Sequence, residues 1–256
     1  VREVFYAVAD PNPKMSGGAM TLEKAGITVH TSLLENPARE VNRLWLEAQR
    51  LGRPYVIAKA AMSLDGRIAL LSGESKWITD ERARSAGHRL RAECGCVLVG
   101  RNTVSIDDPE LTARIPGVQN PPLRVVVDRD ATLQGSERMF NEAAPSLRLT
   151  SRPSLAQDIE LVDFSCRSIL GLLWTRGVTS VLIEGGAKTT TSFLKAGLVD
   201  RLELFVAPKA LGNGPSWFEG HLESISLAPE FHFDRVRKVG PDLQITAYPV
   251  RSETSL

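Results

Sequence analysis

The sequence predicts an α/β fold: a mixed sheet with flanking helices, preceded by a smaller α/β unit. Beyond Tyr55, runs rich in Val, Ile and Leu alternate with segments of helical periodicity, which argues a mainly parallel sheet. The last two strand-like runs have no helix between them, which argues an antiparallel edge. Gly52, Arg53 and Pro54 set the boundary, because the glycine stops a helix and the proline disfavours helix in the residue before it. The chain therefore divides into residues 1–52 and 53–256.

In the first unit, residues 4–8 read as a short buried strand, broken by Asp10, Pro11, Asn12 and Pro13. Residues 20–25 suggest a helix closed by Gly26, residues 27–31 a second strand, and residues 37–50 a helix with Pro37 near its first turn. In that last helix Val41, Leu44, Trp45 and Ala48 form an apolar stripe, while Arg39, Glu40, Arg43, Glu47 and Arg50 are expected to face water. In the second unit the expected strands are 55–61, 96–100, 123–128, 180–183, 201–207, 231–238 and 243–249, and the helices 80–91, 166–176 and 188–195. Asp80 is placed to cap the first of these helices with its carboxylate. Residues 135–153 are turn-rich and receive no element.

With 256 residues, 43% hydrophobic and 24% charged, the chain can bury a full core. A net charge of +1 with scattered Lys and Arg gives no footprint for nucleic acid or an anionic membrane, so any anionic ligand must be held locally. No apolar run is long enough to span a bilayer and no signal segment opens the chain, which fits a cytosolic or organelle-stroma enzyme. Cys94 and Cys96 read as buried thiols at a strand entrance, and with Cys166 make no disulfide framework or zinc spacing. The histidines His30, His88, His221 and His232 sit in no ligand spacing and read as structural or solvated.

No Gly-x-Gly-x-x-Gly fingerprint follows the first strand, so an orthodox Rossmann dinucleotide site is unsupported. An alternative phosphate cradle is the run Gly185, Gly186, Ala187, Lys188, Thr189, Thr190, Thr191, Ser192. Two glycines let the backbone approach an anion, the following helix directs free amides at it, and the hydroxyls add donors. Such a turn also serves simple chain reversal.

Several motifs occur in order: Ala61-Met62-Ser63-Leu64-Asp65-Gly66, then Gly73-Glu74-Ser75-Lys76-Trp77-Ile78-Thr79, then Asp107-Asp108-Pro109, and last Val181-Leu182-Ile183-Glu184-Gly185-Gly186. Together they resemble the reductase domain of the bifunctional riboflavin-biosynthesis deaminase-reductase family, from about Pro54 onward. The resemblance implies a dihydrofolate-reductase-like fold and NADPH as cofactor. The first unit looks like the final part of the cytidine-deaminase-like zinc domain that precedes the reductase, through the stretch from Phe5 to Asp10, the Gly17-Gly18 turn, Ala25-Gly26-Ile27 and the stretch from Asn36 to Trp45. Its His-x-Glu and Pro-Cys-x-x-Cys motifs are missing, so neither zinc nor deamination is expected here. With Val1 in place of an initiator methionine, the chain is expected to begin inside that domain or to carry a degenerate copy.

By resemblance, cofactor contacts fall to Ala61, Trp77, Thr103, Asp107 and the loop Gly186, Ala187, Lys188, Thr189, Thr190, Thr191 and Ser192. Arg129, after the third strand of the second unit, is a candidate for the extra phosphate of NADPH. Substrate contacts fall to Ser75, Arg91, Leu111, Arg114 and Glu184. Arg91 and Arg114 suit a phosphate through the guanidinium fork, and Glu184 can accept from pyrimidine N–H groups at a strand's carboxyl end. Asp107 is the candidate for orienting the nicotinamide or the reacting sugar, with Lys59 nearby to bind substrate or pair with a carboxylate. Each has a plainer reading: Trp77 as core, Thr103 and Asp107 as helix caps, Asp108 as a turn former, the arginines as solvated charges.

The implied reaction reduces 5-amino-6-(5-phosphoribosylamino)uracil to its ribitylamino product. Alternatives are a same-fold reductase acting before deamination on the 2,5-diamino-pyrimidinone, a non-catalytic binding module, and folate reduction by analogy of fold. The resemblance also implies a homodimer, which nothing in the sequence pattern itself encodes.

Overall fold

The computed structural model describes residues 1–12 and 15–250, so Pro13 and the last six residues of the expected second unit lie outside it. The first unit is a parallel two-stranded sheet of β1 (Glu3–Phe5) and β2 (Thr28–His30), joined through α1 (Gly18–Lys24). The expected strand 4–8 is shorter because Tyr6 makes the last ladder bond, to the His30 carbonyl at 3.0 Å. The expected helix 37–50 is two helices, α2 (Glu35–Val41) and α3 (Arg43–Leu51). Asn42 divides them at φ −100° and ψ 12°, its side-chain amide donating to the Ala38 carbonyl at 2.9 Å. Such competition between a short polar side chain and the helix ladder is what makes Asn a poor helix-interior residue.

That break corrects two expectations. Val41 leaves the apolar stripe and is 85% exposed, while Ala48 remains fully buried. Arg43 does not face water: its guanidinium donates to the Tyr248 hydroxyl and lies 5.0 Å from that ring's centroid. Gly52 ends α3 at φ 63°, and Arg53 forks onto the Asp200 carboxylate at 2.7 and 2.8 Å. Residues 52 and 53 are thus held in place where a linker was expected.

The second unit contains β3 (Tyr55–Ser63), α4 (Glu81–Glu93), β4 (Cys96–Gly100), α5 (Arg101–Asp107) and β5 (Leu123–Val127). It continues with β6 (Ser146–Thr150), β7 (Asp158–Glu160), α6 (Cys166–Thr175), β8 (Ser180–Glu184) and α7 (Ala187–Lys195). β9 (Arg201–Ala207), β10 (Phe231–Val239) and β11 (Asp242–Pro249) complete it. One nine-stranded sheet results, in the order β10-β11-β9-β3-β8-β4-β5-β6-β7. It is parallel except where β11 pairs with β10 and β9, as the helix-free C-terminal pair predicted.

Alternation along the central strands feeds two cores. Ile57, Leu182 and Phe205 pack with Ala48 of α3 and Ala83, Ala86 and Leu90 of α4. Val56, Ala58, Leu98 and Ile183 pack with Ile169, Leu170 and Leu173 of α6 and Phe193 of α7. Asp80 caps α4 as expected, accepting from the Arg82 amide at 2.9 Å. Cys94 and Cys96 are buried, with burial pushing the Cys94 thiol up to about 12, whereas Cys166 is half-buried at the start of α6. Among the α-helices and strands, three had no sequence expectation: α5, β7, and β6 within the turn-rich 135–153 stretch.

Candidate active site

Adjacent parallel strands present their carboxyl ends together, and β4 and β8 are neighbours in the sheet. Each runs directly into a helix through glycine. Gly185 and Gly186 have φ of 95° and 70°, a region that L side chains rarely adopt. A Cβ on Gly185 would lie 2.8 Å from Thr103 Oγ1 of α5, and one on Gly100 would lie 2.7 Å from Thr189 Oγ1 of α7. The two turns therefore interlock, each helix's threonine filling the space left by the other's glycine. Neither Gly100 nor Gly186 supplies a side-chain cap and neither first turn carries an acid, so the opening amides and the dipole of α7 are left to face an anion.

Of the expected loop, Gly186, Lys188 and Thr189 line this cradle or its rim. Helical periodicity turns Ala187, Thr190 and Thr191 against the sheet, where they are buried. Thr191 Oγ1 accepts from the Glu219 amide at 2.8 Å, and Ser192 Oγ donates to the Lys188 carbonyl at 2.8 Å. Those hydroxyls are already committed within the protein. Arg129 is exposed two residues past the Gly100↔Val127 pair, its guanidinium 5.5 Å from the Phe164 ring centroid.

Beside the cradle is a knot of charge. Glu184, at the end of β8, accepts from Arg91 Nε and Nη2 at 2.8 and 2.7 Å, and Lys59 Nζ lies 3.8 Å from its Oε2. Burial pushes the Glu184 carboxyl up, but Arg91 and Lys59 outweigh it and hold the group down to about 2. Lys59 packs toward Gly87 of α4, where a Cβ would make ordinary contact with Nζ at 3.7 Å. Arg91 also donates from Nη1 to the Thr112 carbonyl at 3.0 Å. Both partners expected to touch ligand directly, Arg91 and Glu184, thus turn their complementary faces on each other.

Ser75 and Asp107 come together from distant segments, the Ser75 hydroxyl donating to Asp107 Oδ1 at 2.7 Å. Thr103 and Asp107 lie four residues apart on α5, so one helix face connects the glycine cradle to this pair. Asp108 ends α5 at φ 40° and accepts from the Arg138 amide at 2.8 Å, which makes it the turn former of the plainer reading. Leu111 is buried, 3% exposed, at φ 57°. Trp77 is not core: it is 66% exposed at φ 67°, with the Arg84 guanidinium 4.3 Å from the indole centroid. Lys209 Nζ fixes its loop by donating to the Trp77 carbonyl at 2.9 Å. Ala61 lies toward the carboxyl end of β3, in register with Phe205.

Arg114 is exposed, and its Nε and Nη2 each lie 3.3 Å from His88 Nε2. His88 is thus hydrogen-bonded between Thr112 and Arg114, in keeping with its reading as a structural residue. The available signal for this placement was its spacing of three before Arg91 on α4, which puts both on one face. A separate cleft of about 460 Å³, lined by Arg43, Trp45, Glu93, Thr179 and Arg201, contains none of the expected site residues. Among the described residues there is no group of three or more His, Cys, Asp or Glu placed to hold a metal, and no helix long and apolar enough to cross a membrane.

The RibD C-terminal domain family model matches residues 54–245. The riboflavin biosynthesis protein RibD of Bacillus amyloliquefaciens is 38% identical, over 97% of this chain and 72% of its own length. The structure of Acinetobacter baumannii RibD superimposes with a TM-score of 0.89 at 32% identity, covering 98% of this chain and 73% of that one. A Thermotoga maritima diaminohydroxyphosphoribosylaminopyrimidine deaminase/5-amino-6-(5-phosphoribosylamino)uracil reductase gives a TM-score of 0.85 at 33% identity, covering 98% and 72%.

Proposed function

This chain belongs to the RibD C-terminal domain family, and from that premise we propose that it reduces the ribosyl group of 5-amino-6-(5-phosphoribosylamino)uracil to a ribityl chain with NADPH. Its fold is dihydrofolate-reductase-like, and its role is that of the pyrimidine reductase of riboflavin biosynthesis. The observation that carries the finer reading is the shared face of α5, where Thr103 packs on the Gly185 cradle and Asp107, one turn later, takes Ser75.

The start of α7 suits a dinucleotide phosphate, because Gly186 brings no capping side chain and the first turn carries no acid to compete for its amides. Gly185, Gly186, Thr103, Lys188 and Thr189 would hold that phosphate, Arg129 the additional phosphate of NADPH, and Ala61 and Trp77 would flank the nicotinamide end. When bound, the nicotinamide supplies the hydride; the fold supplies position and charge. Asp107, held by Ser75, orients the reacting groups. Arg114 binds the substrate's phosphate from the exposed rim, while Glu184, itself held by Arg91, fixes Lys59 beside the pyrimidine.

Gly185→Ala is expected to raise the NADPH dissociation constant about tenfold or more, because its Cβ, 2.8 Å from Thr103 Oγ1 at a strained φ, displaces the turn that opens α7. Fluorescence titration checks it, and an unchanged constant would remove the cradle from cofactor binding. Arg114→Ala is expected to lower kcat/KM on the order of tenfold for the phosphorylated substrate, the worth of a hydrogen bond to a charged group. A dephosphorylated substrate is the control, because its partner group is already gone. Equal losses on both substrates would sink the phosphate assignment.

Residues 1–52 are proposed as the end of a cytidine-deaminase-like domain, a reading supported by the family match starting at residue 54, beside the Arg53–Asp200 junction. Ammonia release from the 2,5-diamino-pyrimidinone is expected to stay at background. Release coupled to bound zinc would overturn that assignment. Assembly as a homodimer is proposed with it, and sedimentation at micromolar concentration would contradict it by giving a monomer mass.

A further inference from the structure

We infer that His88 is a positioning residue for Arg114: its neutral imidazole, protonated at Nδ1, accepts the Arg114 guanidinium at Nε2 and so aims it at the substrate phosphate. The inference rests on the assignment of Arg114 to that phosphate. The tautomer follows from the partners. His88 Nδ1 lies 3.1 Å from the Thr112 carbonyl, which can only accept, so Nδ1 carries the proton. The Arg114 backbone amide also points at Nδ1, at 3.3 Å, and would need an unprotonated nitrogen there; the two guanidinium donors at Nε2 and the closer Thr112 carbonyl outvote that single amide. Nε2 is then an acceptor, and the atoms opposite it, Arg114 Nε and Nη2, are donors only.

The same carbonyl of Thr112 accepts from Arg91, so the α4 pair His88 and Arg91 grips the segment that carries Arg114. Arg114 is otherwise held loosely: its Nη1 lies 3.8 Å from Glu110 Oε2, and its side chain is 62% exposed. A long, solvated arginine loses much rotamer freedom on binding a ligand. An acceptor that restricts it beforehand reduces that loss.

Protonating His88 would place an N–H against two guanidinium donors and remove the contact. Facing His88 are Arg91 on α4, Arg114 on the segment after α5 and Glu184 on β8, with Glu110 on the far side of Arg114 and Lys59 behind Glu184. Burial lowers its pKa first and the two arginines lower it further, outweighing the Thr112 carbonyl and Glu184. The neutral form is therefore the resting one at neutral pH, and the contact is lost as pH falls through a value below the ordinary 6.5.

His88→Ala is expected to raise KM for the phosphorylated substrate about 3- to 10-fold, the range for one hydrogen bond, with kcat changed less than about twofold. His88→Gln, which offers a non-titrating acceptor at a similar reach, should restore KM and lose the histidine's part of the acid limb of kcat/KM. The limb from the substrate phosphate, with a second pKa of about 6, should persist in that variant. In His88→Ala/Arg114→Ala the second substitution should add nothing. Fully additive losses, or an unchanged KM in His88→Ala with native NADPH affinity, would overturn the inference. Nitrogen-15 NMR of the ligand-free protein provides a test independent of turnover. Arg114→Ala should shift His88 Nε2 and raise the histidine's pKa, whereas an unaltered titration would show that the two side chains are uncoupled. Failure of wild-type turnover would instead count against the substrate assignment and leave the NMR result to decide the coupling.

Discussion

Glu184→Ala is expected to destabilise the protein by about 3 kcal/mol or more, the cost of removing one partner from a buried ion pair. The substitution leaves the Arg91 and Lys59 charges without their shared carboxylate, in side chains only 16% and 19% exposed. That partial exposure places the expected value toward the lower end of the roughly 3–5 kcal/mol range. Urea unfolding at neutral pH measures it through the midpoint at constant slope. A wild-type midpoint would mean that water replaces the carboxylate at little cost, contrary to the burial seen. Glu184 also sets a pH dependence. Its native pKa of about 2 lies below the ordinary 4.5, so its contribution is complete above the ordinary value and is lost as pH falls through the native one. The wild type should therefore lose stability over this acid range more steeply than Glu184→Ala does.

Asp107→Asn is expected to lower kcat on the order of 10- to 100-fold while changing NADPH affinity little, because misplacing reacting groups is costly at the transition state. Asparagine retains an oxygen able to accept the Ser75 hydroxyl, so the contact seen at 2.7 Å survives and only the charge is removed. Steady-state kinetics with a separate NADPH titration checks this. An unchanged kcat would make Asp107 the helix-terminal residue of the plainer reading.

Much of this arrangement was legible in sequence because the apolar strands are simple. β4 and β9 match their expected bounds of 96–100 and 201–207, since Val97, Leu98, Val99, Leu202 and Leu204 are buried as their type suggests. β6 was illegible for the opposite reason. Its centre is Arg148, fully buried and gripped by Asp158 at 2.7 and 2.6 Å and by the Leu133 carbonyl at 2.6 Å. A buried arginine interrupts the hydrophobic alternation by which strands are recognised, and its partners lie in other segments. α5 was missed because Arg101–Asp107 is short and mixes Asn, Thr, Val and Ser, all weak helix formers. The split at Asn42 likewise depends on one side-chain bond, not on the apolar pattern that suggested a single helix.

The site was legible as residues and illegible as pairs. Motifs pointed to Ser75, Asp107, Thr103 and the glycine turn, and the structure brings these together. Motifs also pointed to Arg91 and Glu184 as separate ligands of the substrate, whereas their fork closes on itself. Thr190, Thr191 and Ser192 were counted as donors to an anion because the sequence lists hydroxyls without the helical phase that buries the two threonines or the Lys188 carbonyl that takes the Ser192 hydroxyl.

The most direct test of the central claim is product analysis with the protein, NADPH and 5-amino-6-(5-phosphoribosylamino)uracil, with the undeaminated diamino compound and NADH as parallel arms. NADPH oxidation matched mole for mole by the ribitylamino product, faster than with NADH or the diamino compound, is the predicted result. No oxidation with the uracil, or preferential reduction of the diamino compound, would contradict it.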